Sequence, residues 1–207
     1  MPIAWWALVG LFAALLINRA ADCWLSPARL QCGLTRHPRR QFLVLIALPV
    51  LFAGLAWRSP EPAWPAAAAF VSVLALLAVI DLEQRRVPNV VILPATAFAL
   101  VVAWQAGYLL SAVGGAALAF GVFLALFAVG RRLYGPGALG MGDVKLAGLI
   151  GAMVGFDGAL PALALGVLLA GAAAAALLLT GRARRGDRLP YGSFLTLAAI
   201  GLLIAAV

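Results

Sequence analysis

The sequence predicts an all-α integral membrane protein, a polytopic bundle of about eight transmembrane helices. Of its 207 residues, 65% are hydrophobic and only 11% are charged, whereas charged residues make up about 25% of a typical soluble domain. Mean hydropathy is +1.08, and apolar runs separated by short polar loops continue along the whole chain. No stretch remains for a separate soluble domain, so we expect one membrane-embedded domain over residues 1–207.

Eight apolar runs are candidate spans, because a helix that crosses a bilayer needs about 20 mostly apolar residues. The first two are short and would need tilted neighbours, local thinning of the bilayer or extra interfacial turns. The sixth is the weakest candidate, since Lys145 lies near one of its ends and Asp157 near the other. In chain order the runs are Ile3–Ile17, Phe42–Trp57, Ala63–Ile80, Val90–Ala106, Tyr108–Gly130, Val144–Leu160, Pro161–Thr180 and Tyr191–Val207.

The basic residues indicate how these spans are oriented. With eight spans the loops alternate between the two sides of the membrane, and of the arginines only Arg58 lies in an even-numbered loop. The positive-inside rule then places the odd loops in the cytoplasm. The net charge of +8 is therefore explained by membrane topology, and we expect lipid contacts and no nucleic-acid partner.

Two aspartates lie where an apolar run meets a short polar loop. Asp81 follows the third run, and Asp143 precedes the sixth in Gly140-Met141-Gly142-Asp143. An ionisable group at the edge of the hydrocarbon is costly and is by default a candidate functional group. The loop pattern places both at the cytoplasmic face. There a carboxylate pair that shares one proton can supply both the acid and the base for hydrolysis.

A structural role is the alternative for each aspartate. Asp143 can cap the helix that follows it, because Asp is favoured at helix N-termini. Asp81 can be a solvated residue at the end of its helix. The glycines before Asp143 are typical of a backbone that an extended substrate approaches closely.

Small residues recur in Gly114–Ala117 and in Gly171–Ala176. We expect close helix packing at both, because small side chains let helix backbones approach in lipid. A groove that docks substrate is the alternative.

Three segments together resemble the motifs of the prepilin leader peptidase family. Asp81–Asn89 (Asp-Leu-Glu-Gln-Arg-Arg-Val-Pro-Asn) resembles its first aspartate motif, and Gly140–Lys145 its Gly-x-Gly-Asp-x-Lys signature. Leu189–Phe194 is similar to its Pro-aromatic-Gly turn before the last helix. The resemblance implies a polytopic aspartyl endopeptidase of the bacterial inner membrane, with Asp81 and Asp143 as catalytic residues at the cytoplasmic face. The supporting motif positions are Pro88, Asn89, Gly140, Gly142, Lys145, Pro190, Tyr191 and Gly192.

The resemblance also implies substrates and cofactors. Substrates would be precursors of type IV pilins or of secretion pseudopilins, which carry a short basic leader. Proteolysis would need no cofactor, whereas many family members also N-methylate the new terminus with S-adenosylmethionine and carry two Cys-x-x-Cys pairs in the first loop. Here the first loop, residues 18–41, contains only two cysteines, Cys23 and Cys32. We interpret it as a shortened remnant without a zinc site, and methylation stays open.

Two other functions compete with this hypothesis. A transporter would favour acids near mid-membrane and symmetric repeats, and neither is evident. The other is a Gly-x-Gly-Asp protease that keeps the same fold but cuts inside transmembrane helices. Pro88-Asn89 favours the leader-peptidase branch over it. The single histidine, His37, excludes a two-histidine zinc protease.

Overall fold

The computed structural model describes residues 3–25, 38–58, 64–135, 139–181 and 190–206. Within these ranges every regular element is an α-helix, which confirms the all-α membrane bundle. Five of the helices are long and apolar enough to cross a membrane, and α4 and α7 are shorter apolar helices. The helices are α1 (Ile3–Leu25), α2 (Pro38–Arg58), α3 (Trp64–Gln84), α4 (Asn89–Gln105), α5 (Leu109–Tyr134), α6 (Met141–Leu179) and α7 (Tyr191–Ala206).

The described ranges contain seven helices where eight were predicted. The 39-residue α6 covers both the sixth and the seventh predicted spans, and it is interrupted at Gly155, where φ is 73° and ψ is −176°. The predicted boundary between Leu160 and Pro161 was wrong, because Pro161 lies inside the helix and the break comes earlier. A glycine adopts this positive φ without the steric cost that a Cβ would add.

The chain reverses direction at this break. Gly158 packs near Leu202, towards the end of α7, whereas Gly166 packs against Leu195, near the start of α7. The second segment of α6 therefore returns towards the end of the bundle at which the first segment began. The interruption is a hairpin turn, and α6 supplies two antiparallel segments.

The first loop is shorter than predicted. Helix α1 continues to Leu25 and α2 begins at Pro38, so both ends of residues 18–41 are helical. The side chain of Cys23, and all of Cys32 and His37, lie outside the described residues. The remnant interpretation and the single-domain assignment stay predictions.

Helix α3 is the centre of the bundle. In its most apolar stretch 56% of the residues are buried, compared with 22% in each of the other four candidate spans. It packs against α1, α2, α4 and α7. Its buried side chains Val71, Leu74 and Leu77 belong to one core with residues of α6 and α7, so the position of Asp81 near its end is well constrained.

Close packing through small residues is confirmed for one of the two predicted stretches. A Cβ at Gly115 in α5 would lie 2.5 Å from the carbonyl oxygen of Gly151 in α6, so these backbones touch. At Gly171 a Cβ would have no neighbour within 4 Å, and Ala172, Ala175 and Ala176 are exposed. The prediction was wrong for this second stretch, as far as the described residues extend.

Candidate active site

Asp81 and Asp143 come together at the start of α7. Asp81 lies in the last turn of α3, Asp143 lies in the first turn of α6, and Gly192 lies between them. A Cβ at Gly192 would be 3.0 Å from Oδ2 of Asp81 and 3.3 Å from Oδ1 of Asp143. Because both distances are measured from the same position, the two carboxylate oxygens can be no further apart than about the sum of these distances. At this distance or less, one water molecule can contact both carboxylates.

Asp81 is buried, and two hydrogen-bond donors of one residue hold its carboxylate. Only 4% of Asp81 is exposed. The alternative prediction, a solvated residue at the end of its helix, was therefore wrong. Oδ2 of Asp81 accepts hydrogen bonds from the backbone N–H of Ser193 at 2.8 Å and from the Ser193 hydroxyl at 2.9 Å. Its own carbonyl accepts the N–H of Arg85 at 2.8 Å, where the helix ends with Arg85 at a φ of 52°.

Asp143 is more open and is held more loosely. It is partly exposed, and its Oδ2 accepts one hydrogen bond, from the backbone N–H of Gly140 at 3.3 Å. Gly140 is the N-cap residue of α6, so this oxygen does contribute to capping the helix. Because the other oxygen points towards Gly192 and Asp81, the structural and the functional interpretations are compatible.

The motif glycines are positions where a side chain would not fit easily. A Cβ at Gly142 would lie 3.2 Å from Cβ of Val87, and one at Gly140 would lie 3.1 Å from Oδ2 of Asp143. The first contact brings the segment between α3 and α4 against α6, and the second brings the N-cap against the carboxylate. These glycines therefore position the aspartates through close packing. That they also let an extended substrate approach the backbone stays a prediction.

Lys145 and Asn89 join the first and second motifs. The Lys145 ammonium donates a hydrogen bond to Oδ1 of Asn89 at 2.9 Å. Pro88, the N-cap residue of α4, adopts an extended φ of −75° and offers its carbonyl to the N–H groups of Val91 and Ile92. The contact connects the start of α4 to the first turn of α6.

The chain matches the model of the type IV leader peptidase family over residues 68–180. That range is more than half of the chain, and it includes Asp81 and Asp143. The protein belongs to the type IV leader peptidase family. The resemblance that the motifs indicate is confirmed.

Two relatives extend the comparison with this peptidase family. The chain is 33% identical over 141 residues to the prepilin leader peptidase/N-methyltransferase of Bacillus subtilis (strain 168), covering 65% of this chain and 53% of that protein. It is 32% identical over 145 residues to the type 4 prepilin-like proteins leader peptide-processing enzyme of Escherichia coli O78:H11 (strain H10407 / ETEC), covering 68% and 50%. The chain spans about half the length of these curated relatives. No solved structure matches.

For two sets of polar residues beside the peptidase motifs, the sequence predicted no role in the site. One is Ser193, which follows Gly192 and holds Asp81. The other is a buried cluster that joins α1, α2 and α3: Arg40 donates hydrogen bonds to both carboxylate oxygens of Glu83, at 3.0 and 2.9 Å, and to Asp22. The Arg40 and Asp22 side chains are only 10% and 7% exposed.

No pattern in the sequence separates Arg40 from the other arginines of its stretch, which together indicate membrane topology. The sequence did offer one indication that Glu83 belongs near the site, because it lies two residues after Asp81 in the first aspartate motif. In the described part of the chain, no group of three or more His, Cys, Asp and Glu side chains is placed to share a metal ion. Pro190 and Tyr191, the remaining motif positions, lie immediately before and at the start of α7.

Proposed function

We propose that the protein is a membrane aspartyl endopeptidase that removes the leader from type IV prepilins or pseudopilins. The observation that carries this proposal is the convergence of Asp81 and Asp143 beside Gly192. Membership of the leader peptidase family supports the reaction class and favours it over a transporter. The names of the two relatives, which refer to prepilin leaders and to type 4 prepilin-like proteins, support the substrate class.

The geometry is suited to hydrolysis by a water molecule between the two carboxylates. The ionised partner takes a proton from this water as the oxygen attacks the scissile carbonyl carbon, and the protonated partner donates a hydrogen bond to the carbonyl oxygen. The C–N bond then breaks as the leaving nitrogen takes up a proton. The products are the leader with a new carboxylate and the mature chain with a new amine. Because Asp143 is partly exposed, the substrate would approach from its side.

We propose that this site faces the cytoplasm, at a depth below the end of α5. Gly148 of α6 packs against Phe120 of α5, so Asp143 is level with roughly residue 125 of α5. Helix α5 continues to Tyr134, which is roughly 13 Å further at 1.5 Å per residue. A bond near the start of a substrate's apolar helix would reach this depth. The basic residues of α5, Arg131 and Arg132, lie in its last turn at this end, which supports the cytoplasmic orientation.

Proteolysis by this pair requires no cofactor. S-adenosylmethionine would be needed only for the methyl transfer that the name of one relative mentions. The described residues offer no set of side chains that we can assign to it, so no step of the proposed reaction involves it. Methylation is an additional activity to be sought in the mature product.

The proposal is tested by cleavage of a purified prepilin precursor with detergent-solubilised protein. We expect Asp81→Asn and Asp143→Asn each to lower kcat/KM on the order of a thousandfold or more, because residues that act as a unit fail together. Asp157→Asn is the matched control. Asp157 is an exposed acid just after the hairpin turn of α6, at the other end of the bundle, and its variant should cleave at the wild-type rate.

Mass spectrometry of the products would report the cleavage position and any added methyl group. Cleavage at the wild-type rate by either site variant would remove that aspartate from the catalytic pair. A wild-type protein that leaves every prepilin and pseudopilin precursor intact would contradict the peptidase assignment.

A further inference from the structure

Ser193 holds one oxygen of Asp81 with two hydrogen-bond donors at once. Its backbone N–H lies 2.8 Å and its hydroxyl oxygen 2.9 Å from the same Oδ2. Ser193 is 1% exposed and Asp81 is 4% exposed, so water does not replace these contacts. The two residues belong to different helices, and the first turn of α7 therefore fixes the orientation of the Asp81 carboxylate in α3.

The Ser193 hydroxyl has a second neighbour on α3. Its oxygen lies 3.2 Å from the carbonyl oxygen of Ala78, about one helical turn before Asp81. A hydroxyl carries a single proton and two lone pairs, so it donates to one of these two acceptors at a time. The two possible arrangements correspond to the two charge states of Asp81.

In the first arrangement the hydroxyl donates to an ionised Asp81. In the second, the hydroxyl donates to the carbonyl of Ala78, and its lone pair accepts the proton of a neutral Asp81. When Asp81 takes up a proton from the attacking water, rotation of the Ser193 O–H bond towards the carbonyl of Ala78 completes the change to the second arrangement, and no heavy atom of Ser193 or Asp81 has to move. Asp143 lacks such a partner among the described residues, since its one hydrogen bond comes from a backbone N–H that can only donate.

We propose that Ser193 is a positioning residue for Asp81, which keeps its carboxylate in one place while Asp81 gains and loses a proton during the reaction. Neither the family match nor the names of the relatives assign a role to this serine. The inference deepens the proposed peptidase function and rests on it. Ser193 is not a nucleophile here, because its hydroxyl is directed at a carboxylate and a carbonyl inside the protein.

The test is steady-state cleavage of a prepilin precursor by Ser193→Ala, compared with Thr196→Val. Thr196 is equally buried, at 0% exposure, and its hydroxyl donates to the carbonyl of Ser193 at 2.8 Å within the same helix. Both variants therefore lose one buried hydroxyl of α7, and only one of them loses a contact with an aspartate.

We expect Ser193→Ala to lower kcat roughly ten- to a hundredfold, the size expected for a hydrogen bond to a charged group, with KM unchanged and with a Tm close to that of Thr196→Val, which also loses a buried hydroxyl. Thr196→Val should keep the wild-type kcat. A wild-type kcat in Ser193→Ala, beside a wild-type protein that cleaves, would overturn this role and leave the proposed function intact. A fall in Tm that accounts for the loss would show a structural role and would also overturn it. If the wild-type protein does not cleave, the proposed function fails first, and this role fails with it.

Discussion

The N-terminal hairpin of α1 and α2 and the C-terminal region of α5 to α7 are held together in different ways. In the C-terminal region the backbones of α5 and α6 touch through Gly115 and Gly151, and among the described residues no ion pair joins these two helices. The N-terminal hairpin also has one close approach, between Gly10 and Pro49, but it is joined to α3 at the level of the site by the buried charges around Arg40.

The difference matters because the two regions meet on α3, the helix that carries Asp81. Lipid gives little hydrophobic drive for helices to associate, so backbone contact and polar bonds have to hold them. Where two helix backbones touch, a substitution that adds even one side-chain atom destabilises the contact. A charged cluster accommodates changes in side-chain volume, but it is destabilised when one of the charges is removed. We therefore expect the two regions to fail under different substitutions.

The largest effect on stability is expected from removing the charge of Arg40. Arg40→Met leaves Asp22 and Glu83 buried without their cation, and breaking a buried ion pair in this way costs about 3–5 kcal/mol. The exposed neighbour Arg39 provides the control, and Arg39→Met should unfold at the wild-type temperature in detergent.

Neutralising the two carboxylates of the cluster should restore the stability that Arg40→Met loses. In the Arg40→Met background, Asp22→Asn with Glu83→Gln removes the uncompensated charges, and we expect most of the lost stability to return. A triple variant as unstable as Arg40→Met alone would show that packing, and not charge, joins the hairpin to α3.

The next largest effect is expected where α5 and α6 touch. In Gly115→Ala the new Cβ would lie 2.5 Å from the carbonyl oxygen of Gly151 and 2.6 Å from that of Gly155, and such overpacking costs about 3 kcal/mol. Because the first segment of α6 must shift, the cleavage rate should fall as well. Gly121→Ala is the control, since a Cβ at Gly121 meets nothing within 4 Å. Equal stability of the two variants would contradict this packing.

The smallest effect is expected at the end of α3. Arg85 has a φ of 52°, a left-handed conformation that costs a residue with a Cβ about 1 kcal/mol. Arg85→Gly should therefore raise the free energy of unfolding by up to about 1 kcal/mol, less whatever the unfolded chain gains in flexibility. Arg86→Gly, at an exposed neighbour without a positive φ, should not stabilise. Chemical denaturation would measure both.

Apolar length predicted the helices well, because the membrane leaves few alternatives to a helix. The hairpin turn in α6 was misplaced, since Pro161 is the stronger helix breaker by intrinsic preference. At Gly155 the break is supported by a contact that no sequence window contains: the hydroxyl oxygen of Ser111 in α5 accepts the N–H of Phe156 at 3.0 Å. Tertiary contacts of this kind decide between nearby breaking points.

The site was predicted only in part, for a similar reason. Asp81 and Asp143 could be identified because each stands in a motif at the edge of an apolar run. Their partners could not, because Ser193 and Arg40 look like an ordinary helix-start serine and a topology-determining arginine until α3, α7 and α2 are packed together. The catalytic roles themselves remain predictions, which only activity measurements can test.

Asp81 and Asp143 are proposed to hydrolyse the leader as one unit, and comparing the single variants with the double variant distinguishes this from independent action. Prepilin cleavage would be measured with Asp81→Asn, Asp143→Asn and the protein carrying both substitutions. If the two carboxylates act together, the double variant should be about as slow as either single variant, because the first substitution already removes the pair's contribution. Losses that multiply in the double variant would show that the two residues act independently, and would contradict the shared site.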